Sequence, residues 1–305
     1  MARSFSLVPL GEFSLRESAL FGFGQRSRPV GDFDGVLRLA FCLDGGFERQ
    51  VGIEVRQDES GVHAVVHGSG DLAAIRLQTE RVLSLDHDAR EFVDVGRRDP
   101  VIRRLQLAAP GLRPPLFYSP YEAAVWSVLS ARRPSWQMSR VRAALSEAAG
   151  RTFDLAGQRV GALPTPRQLL RVAAFPGIDA DRLDRVHGVA RAAEDGLLEV
   201  RRLRDLGPDE AVADLQRIRG IGPFYAWLIV IRAAGFTDVL PLDEPRVREL
   251  TRELYGFDDL LSPERFALLA ETWRPWRTWA SVLIRAVAPR VLGMPVGNVR
   301  ERLSA

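Results

Sequence analysis

The spacing of apolar residues changes near residue 95, and that change sets the class of fold open to the chain. Before it, Val36-Leu-Arg-Leu-Ala-Phe-Cys-Leu, Val51-Gly-Ile-Glu-Val-Arg and Val62-His-Ala-Val-Val-His are short, partly alternating and rich in β-branched residues, with turns such as Asp44-Gly-Gly and Glu59-Ser-Gly between them. Leu72, Ile75, Leu77, Val82 and Leu83 predict one amphipathic helix over 71–85. From Asp99 onward the spacing is helical almost throughout. Segments over 99–107, 119–132, 135–149, 165–173, 179–195, 199–204, 208–218, 223–235, 244–254, 263–270 and 274–288 are punctuated by Pro and Gly. The expected class is α+β: a small N-terminal antiparallel-sheet domain over 1–98, a mainly α-helical core over 99–288, and a tail over 289–305. Pro110-Gly-Leu-Arg-Pro-Pro115 reads as a linker.

Composition narrows the chemistry. The chain has 305 residues and 46% hydrophobic content, enough for more than one core. No apolar run reaches the length that spans a bilayer, and Met1-Ala-Arg-Ser-Phe-Ser-Leu-Val-Pro lacks a signal-peptide core, so a cytoplasmic, nucleoid-associated protein without membrane partners is expected. Cys42 is the sole cysteine, which excludes an intrachain disulfide and a cluster held by four thiolates. His63 and His67 share a predicted strand with no third ligand near, so no side-chain metal site is expected. All 42 basic residues are arginine, which removes every side-chain amine that could form a Schiff base. Arginines cluster at 97, 98, 103 and 104, at 132, 133, 140 and 142, and at 201, 202 and 204. Such groups suit phosphate, although each alone is also an ordinary solvated helix face.

Leu215-Gln-Arg-Ile-Arg-Gly-Ile-Gly-Pro-Phe-Tyr-Ala226 is the most specific local signal. Gly220 and Gly222 allow a tight turn that brings backbone N–H groups close to another surface, and Pro223 suits the first turn of the next helix. Leu215 and Ile218 before the turn, and Ala226, Leu228 and Ile229 after it, are spaced to pack two helices together. The product is a helix, a hairpin and a second helix whose N-terminus can meet a phosphate oxygen. The same tetrapeptide also joins helices that bind nothing.

Downstream, Asp238-Val-Leu-Pro-Leu-Asp-Glu-Pro-Arg-Val-Arg248 puts the acidic pair Asp243-Glu244 at a helix start. Helix amides keep a carboxylate ionised there, and such a group can stabilise positive charge on a deoxyribose whose glycosidic bond is breaking. A plain N-cap is the competing explanation. Aromatic residues supply stacking surfaces for a flipped base: Phe224, Tyr225 and Trp227 beside the hairpin, Tyr118, Tyr121, Trp126 and Trp136 earlier, and Trp273, Trp276 and Trp279 late. Most of these rings are expected in the core.

The hairpin, the acidic segment and Trp273-Arg-Pro-Trp-Arg-Thr-Trp-Ala280 resemble the helix-hairpin-helix DNA glycosylase superfamily, in particular bacterial DNA-3-methyladenine glycosylase II. Pro110-Gly-Leu-Arg-Pro-Pro leading into Tyr121-Glu-Ala-Ala-Val-Trp126 resembles the opening of that branch's catalytic domain, so the likeness covers nearly the whole chain. It implies two helical subdomains around a cleft, and a monofunctional enzyme that flips alkylated purines out of damaged double-stranded DNA and hydrolyses their N-glycosidic bond as a monomer. No cofactor is implied, apart from a monovalent cation that the hairpin backbone could hold. Arg219, Gly220, Ile221 and Gly222 fall at the DNA-backbone contact, and Phe224, Trp126, Tyr121 and Trp276 at the base pocket. Family members that also cut the strand use a lysine where Phe224 stands. The catalytic aspartate carries over to Asp243 by residue type and capping chemistry, or to Glu244 by gapless spacing and the apolar Val247. Besides the catalytic acid, two further sites depart from the family. Arg132 and Arg133 occupy the turn that usually carries an aliphatic wedge, and Arg285 replaces a pocket aromatic. A damage-binding module without chemistry, and a glycosylase for oxidised or deaminated bases, are the alternatives.

Overall fold

A computed structural model describes residues 3–22, 33–242 and 244–294. Its strands are β1 (Arg3–Leu7), β2 (Leu37–Cys42), β3 (Gln50–Asp58), β4 (Gly61–His67), β5 (Thr152–Leu155) and β6 (Gln158–Gly161). The helices are α1 (Leu15–Phe21), α2 (Leu72–Val82), α3 (Arg90–Arg98), α4 (Pro100–Ala108), α5 (Pro120–Ser130), α6 (Ser135–Ala149), α7 (Pro166–Leu169) and α8 (Ala180–Glu194). They continue as α9 (Val200–Leu206), α10 (Pro208–Leu215), α11 (Pro223–Ile229), α12 (Pro245–Tyr255), α13 (Pro263–Ala270) and α14 (Arg277–Val291). The chain forms two compact units, and each is revisited by the backbone. One takes residues up to 8, 22–86 and 115–235; the other takes 9–21, 87–114 and the chain from 236.

The first unit holds an antiparallel sheet in the order β1-β4-β3-β2, with Phe5 opposite Ala64, Ile53 opposite Val66 and Leu39 opposite Ile53. On β4, Val62, Ala64 and Val66 turn inward while the residues between them stay half-exposed, the alternation expected of a sheet covered on one side. β1 escapes the sequence reading because its partner lies about sixty residues away; five residues give too short a pattern to declare a strand alone. The helical core is not purely α, which corrects the expectation for the segment after Asp99. β5 and β6 form a hairpin across Ala156 and Gly157, both at positive φ, and Phe153 and Leu155 pack with Ala40 and Ala162. Gly52 makes that approach possible, since a Cβ there would lie 2.7 Å from Phe153 Cγ.

A buried ion pair ties this sheet to the helices. Arg142 Nη2 on α6 donates to Glu122 Oε2 on α5 at 2.6 Å, and Glu122 Oε1 accepts the Cys42 N–H at 3.2 Å. Burial raises the Cys42 thiol far above its usual range, and its S–H donates to Leu163 O.

The second unit packs α3, α4, α12, α13 and α14 around Phe92, Ile102, Leu105, Leu250, Phe266, Trp273, Trp279 and Ile284. Pro289 does not end α14, which runs three residues past the expected limit of 288; Pro removes one hydrogen bond but the helix continues to Val291. Of the expected tail, residues 295–305 lie outside the described residues. The polar centre of this unit is Asp99, the N-cap of α4. Its Oδ1 accepts the Val101 and Ile102 N–H groups, while Oδ2 accepts Trp273 Nε1–H at 2.8 Å and the Tyr255 hydroxyl. Burial, then the Asp99 carboxylate, push the Tyr255 phenol well above its ordinary value. Removing the carboxylate strips a helix cap and orphans one buried and one half-buried donor. Asp99→Ala is therefore expected to lower the stability of this unit by about 3 kcal/mol, read from urea unfolding.

Candidate DNA-binding hairpin and carboxylate site

The hairpin in the first unit is built from both ends. α10 closes at Leu215, the chain turns through Gly220 at φ 98°, and Gly222 caps α11 in extended geometry ahead of Pro223. Positive φ at Gly220 costs a side-chain-bearing residue about 1 kcal/mol or more, and a Cβ there would also press on Arg185 and Val128. Gly222 faces open space and is exposed, so its backbone is approachable. Ile221 is buried and its N–H donates to Ile218 O at 3.0 Å. That corrects part of the expectation: the Ile221 amide serves the turn, while the amides of Gly220 and Gly222 have no acceptor among the described residues. Arg219 is exposed, its guanidinium reaching Asp184 at 2.7 Å and Asp181 at 2.9 Å on α8. Exposed pairs of this kind are worth no more than about 1 kcal/mol, so they leave the guanidinium able to turn to a phosphate.

The far end of the second hairpin helix is fastened by arginines. α11 passes into a π-helical turn over Val230–Ala234. Arg81 Nη1 donates to Ala233 O at 2.7 Å and Arg204 Nε to Ala234 O at 2.8 Å. Cations at carbonyls left open by a helix end satisfy both hydrogen bonding and the helix dipole. Arg81 also reaches Asp44 and Tyr118 O, and thereby links α2 and the sheet loop to the hairpin.

The aromatic residues divide sharply. Phe224 is 54% exposed beside the hairpin, its ring edge-on to Tyr225. Tyr121 is completely buried, packs 5.3 Å from Phe47 and donates its hydroxyl to Pro164 O. It is a core residue, and so is buried Trp126 on α5; neither presents a free face to a base. Trp276 is buried as well, 4.7 Å from Trp279 and 6.1 Å from Phe92 in the second unit. Tyr121 and Trp126 correct the pocket expectation, because a periodic aromatic stripe is used for packing before anything else; Trp276 packs likewise and also lines a cavity with Pro275, Arg97 and Arg98. Arg132 and Arg133 are exposed on the turn between α5 and α6, Arg132 at φ 55°.

In the second unit, the late tryptophan-arginine motif holds the segment that leads to the acidic pair. Arg277 makes bonds of 2.8 and 3.0 Å to the Asp238 carboxylate and one to Asp238 O, and Arg274 adds another at 2.7 Å. Thr278 Oγ1 accepts the Val239 N–H and donates to Val239 O. Sequence reading recognised this motif but not its task, because its partner Asp238 carries no local signature.

Asp243 lies outside the described residues. Glu244 occupies the N-cap of α12, a position that capping chemistry had favoured for Asp243. Its side chain makes no capping bond. Oε1 instead accepts from Arg285 Nη1 on α14, the two side chains being 18% and 30% exposed. The departure at Arg285 and the acidic pair are thus one feature.

Freeing the Asp238 clamp should loosen the approach to the acidic pair without unfolding the protein. Asp238→Ala is expected to speed amide exchange of Val239 by about tenfold, ~1.4 kcal/mol of local stability, in hydrogen-exchange mass spectrometry.

No family model matches the chain. It is 22% identical over 201 residues to a DNA-3-methyladenine glycosylase of Bacillus subtilis, an alignment covering 65% of this chain and 66% of that protein. It is 28% identical over 256 residues to the probable bifunctional transcriptional activator/DNA repair enzyme AlkA of Mycobacterium tuberculosis, covering 81% of this chain and 49% of the relative. The chain therefore spans about half to two thirds of the length of these curated relatives. Among solved structures, the 3-methyladenine DNA glycosylase of Archaeoglobus fulgidus has the same fold, with a TM-score of 0.74, 20% identity, and coverage of 96% of this chain and all of the other. The chain is thus similar in sequence to DNA-3-methyladenine glycosylases and shares the fold of one of them, in keeping with the resemblance carried by its hairpin and its tryptophan-arginine motif.

Proposed function

We propose that this protein is a monofunctional DNA glycosylase that releases alkylated purines, of the 3-methyladenine and 7-methylguanine kind, from duplex DNA. The hairpin carries the reading: the exposed Gly222, and the amides of Gly220 and Gly222 that bond to no acceptor among the described residues, suit a phosphate oxygen of the DNA backbone. Phe224 supplies an exposed ring for stacking, and Arg132 and Arg133 fill the duplex where the base leaves. A purine alkylated at N3 or N7 is cationic, so it departs as a neutral base when the C1′–N9 bond breaks with its electron pair. The sugar becomes oxocarbenium-like, a nearby carboxylate stabilises it, and water adds to C1′ and gives up a proton. Asp243 or Glu244 supplies that carboxylate. The chemistry needs no cofactor, and a monovalent cation at the hairpin backbone would serve binding only.

A second reading has a specific support. Arg285 neutralises the Glu244 charge in the structure, which favours a damage-binding protein without chemistry if Glu244 is the acid. Base release from duplex containing 3-methyladenine or 7-methylguanine separates the two. One of Asp243→Asn and Glu244→Gln is expected to slow release by about a hundredfold or more while leaving DNA affinity within a few fold. If both variants release base at the parent rate, the carboxylate mechanism is wrong; binding without release selects the second reading.

The chain has no lysine. Incubation with abasic duplex and borohydride should leave no covalent adduct through a side chain, and the abasic strand should stay uncut.

A further inference from the structure

The turn between α5 and α6 ends in a feature that neither the hairpin nor the acidic pair explains. Trp136, in the first turn of α6, is 63% exposed, the highest exposure of any tryptophan among the described residues. Five of the chain's six tryptophans are half-buried or buried, as large rings normally are. Arg140, one helical turn on, holds its guanidinium 5.6 Å from the Trp136 ring centroid. Arg132 and Arg133 precede it and are exposed. Asp179 lies 3.7 Å from Arg133.

The turn is also fixed in shape. Arg182 on α8 donates to Leu129 O and Val128 O, and to Ala131 O at 3.2 Å, closing the carbonyls at the C-terminal end of α5. Arg132 is held in left-handed backbone geometry, which is uncommon for a side chain of its size and concentrates at binding sites. A braced turn that keeps an exposed indole among three arginines matches a polyanion that also offers flat apolar surface. Nucleic acid has both, in phosphates and in the faces of sugars and bases. An acidic protein surface would satisfy the arginines and leave the ring without a partner.

We propose that Trp136 and Arg140 form a second DNA contact beyond the wedge turn, with Trp136 packing on a deoxyribose or base face and Arg140 on a neighbouring phosphate. The inference rests on DNA being the partner in the function proposed above, and not on base release. Binding to a duplex with a central tetrahydrofuran abasic site, followed by fluorescence anisotropy at several salt concentrations, tests it. Trp136→Ala is expected to weaken binding about tenfold, and Trp136→Phe to restore it to within about threefold. Arg140→Gln should lower the slope of log affinity against log salt by about one. Trp136 lies largely outside the core, so circular dichroism should show the variants folded. Variants that bind within twofold of the parent at the parent's salt slope overturn the contact, as does a parent that binds no duplex. Base release by the parent, measured in parallel, keeps the two readings apart. Absent release with weakened Trp136→Ala binding removes the glycosylase and leaves the contact; normal release with unchanged binding removes only the contact.

Discussion

Carbonyl groups left open where helices stop are the constraint on which the functional segments depend. Each helix end exposes up to four such acceptors, and a buried one without a donor costs about 1–3 kcal/mol. This chain answers with arginine. Arg81 and Arg204 close the end of the hairpin's second helix and Arg182 closes α5, while Arg274 and Arg277 use the same group on the Asp238 carboxylate before the acidic pair. A guanidinium offers five donors in a planar fork, so one side chain can bind several carbonyls or a carboxylate and a carbonyl together. Lysine could not do this with one rigid geometry. The all-arginine composition, whatever its origin in the genome, is used here as a bracing chemistry.

The same habit shapes the electrostatics of the carboxylate site. Glu244 stands where helix amides would welcome a negative charge, yet its carboxylate turns to Arg285. In a relative with an aromatic at that position the carboxylate would lack this partner. An arginine there can hold the carboxylate ready, or it can compete with any cation that the carboxylate is meant to stabilise. In the proposed function, which effect wins depends on which of the two carboxylates serves the sugar.

Much of the architecture was legible locally. α6 and α13 start and end where periodicity and punctuation placed them, and β2, β3 and β4 follow their β-branched runs. The hairpin was legible because Gly220 permits a left-handed turn and Pro223 fixes φ at a helix start, whatever surrounds them. β1 and the β5–β6 hairpin were not, since four or five residues carry too little pattern and take their pairing from distant chain. The site was legible by residue type more than by role. Gly220 takes the left-handed backbone that glycine allows, whereas Gly222 is extended as any residue could be, Ile221 spends its amide on the turn and Arg219 lies against Asp181 and Asp184. Tyr121, Trp126 and Trp276 illustrate the general difficulty: an aromatic suited to a pocket is equally suited to a core, and spacing does not separate the two.

By itself, the sequence determined the α+β class, the helix-hairpin-helix element, the acidic pair at a helix start and the exclusion of lysine chemistry. Each follows from backbone restriction, periodicity or the presence of a functional group, which are properties of neighbouring residues. Tertiary structure alone decided that Glu244 caps α12 and pairs with Arg285, that the tryptophan-arginine motif exists to hold Asp238, and that Trp136 faces solvent while the other tryptophans turn inward. Those outcomes depend on which charges and surfaces meet across dozens of residues, and free energies of a few kcal/mol choose among partners that look alike in the chain.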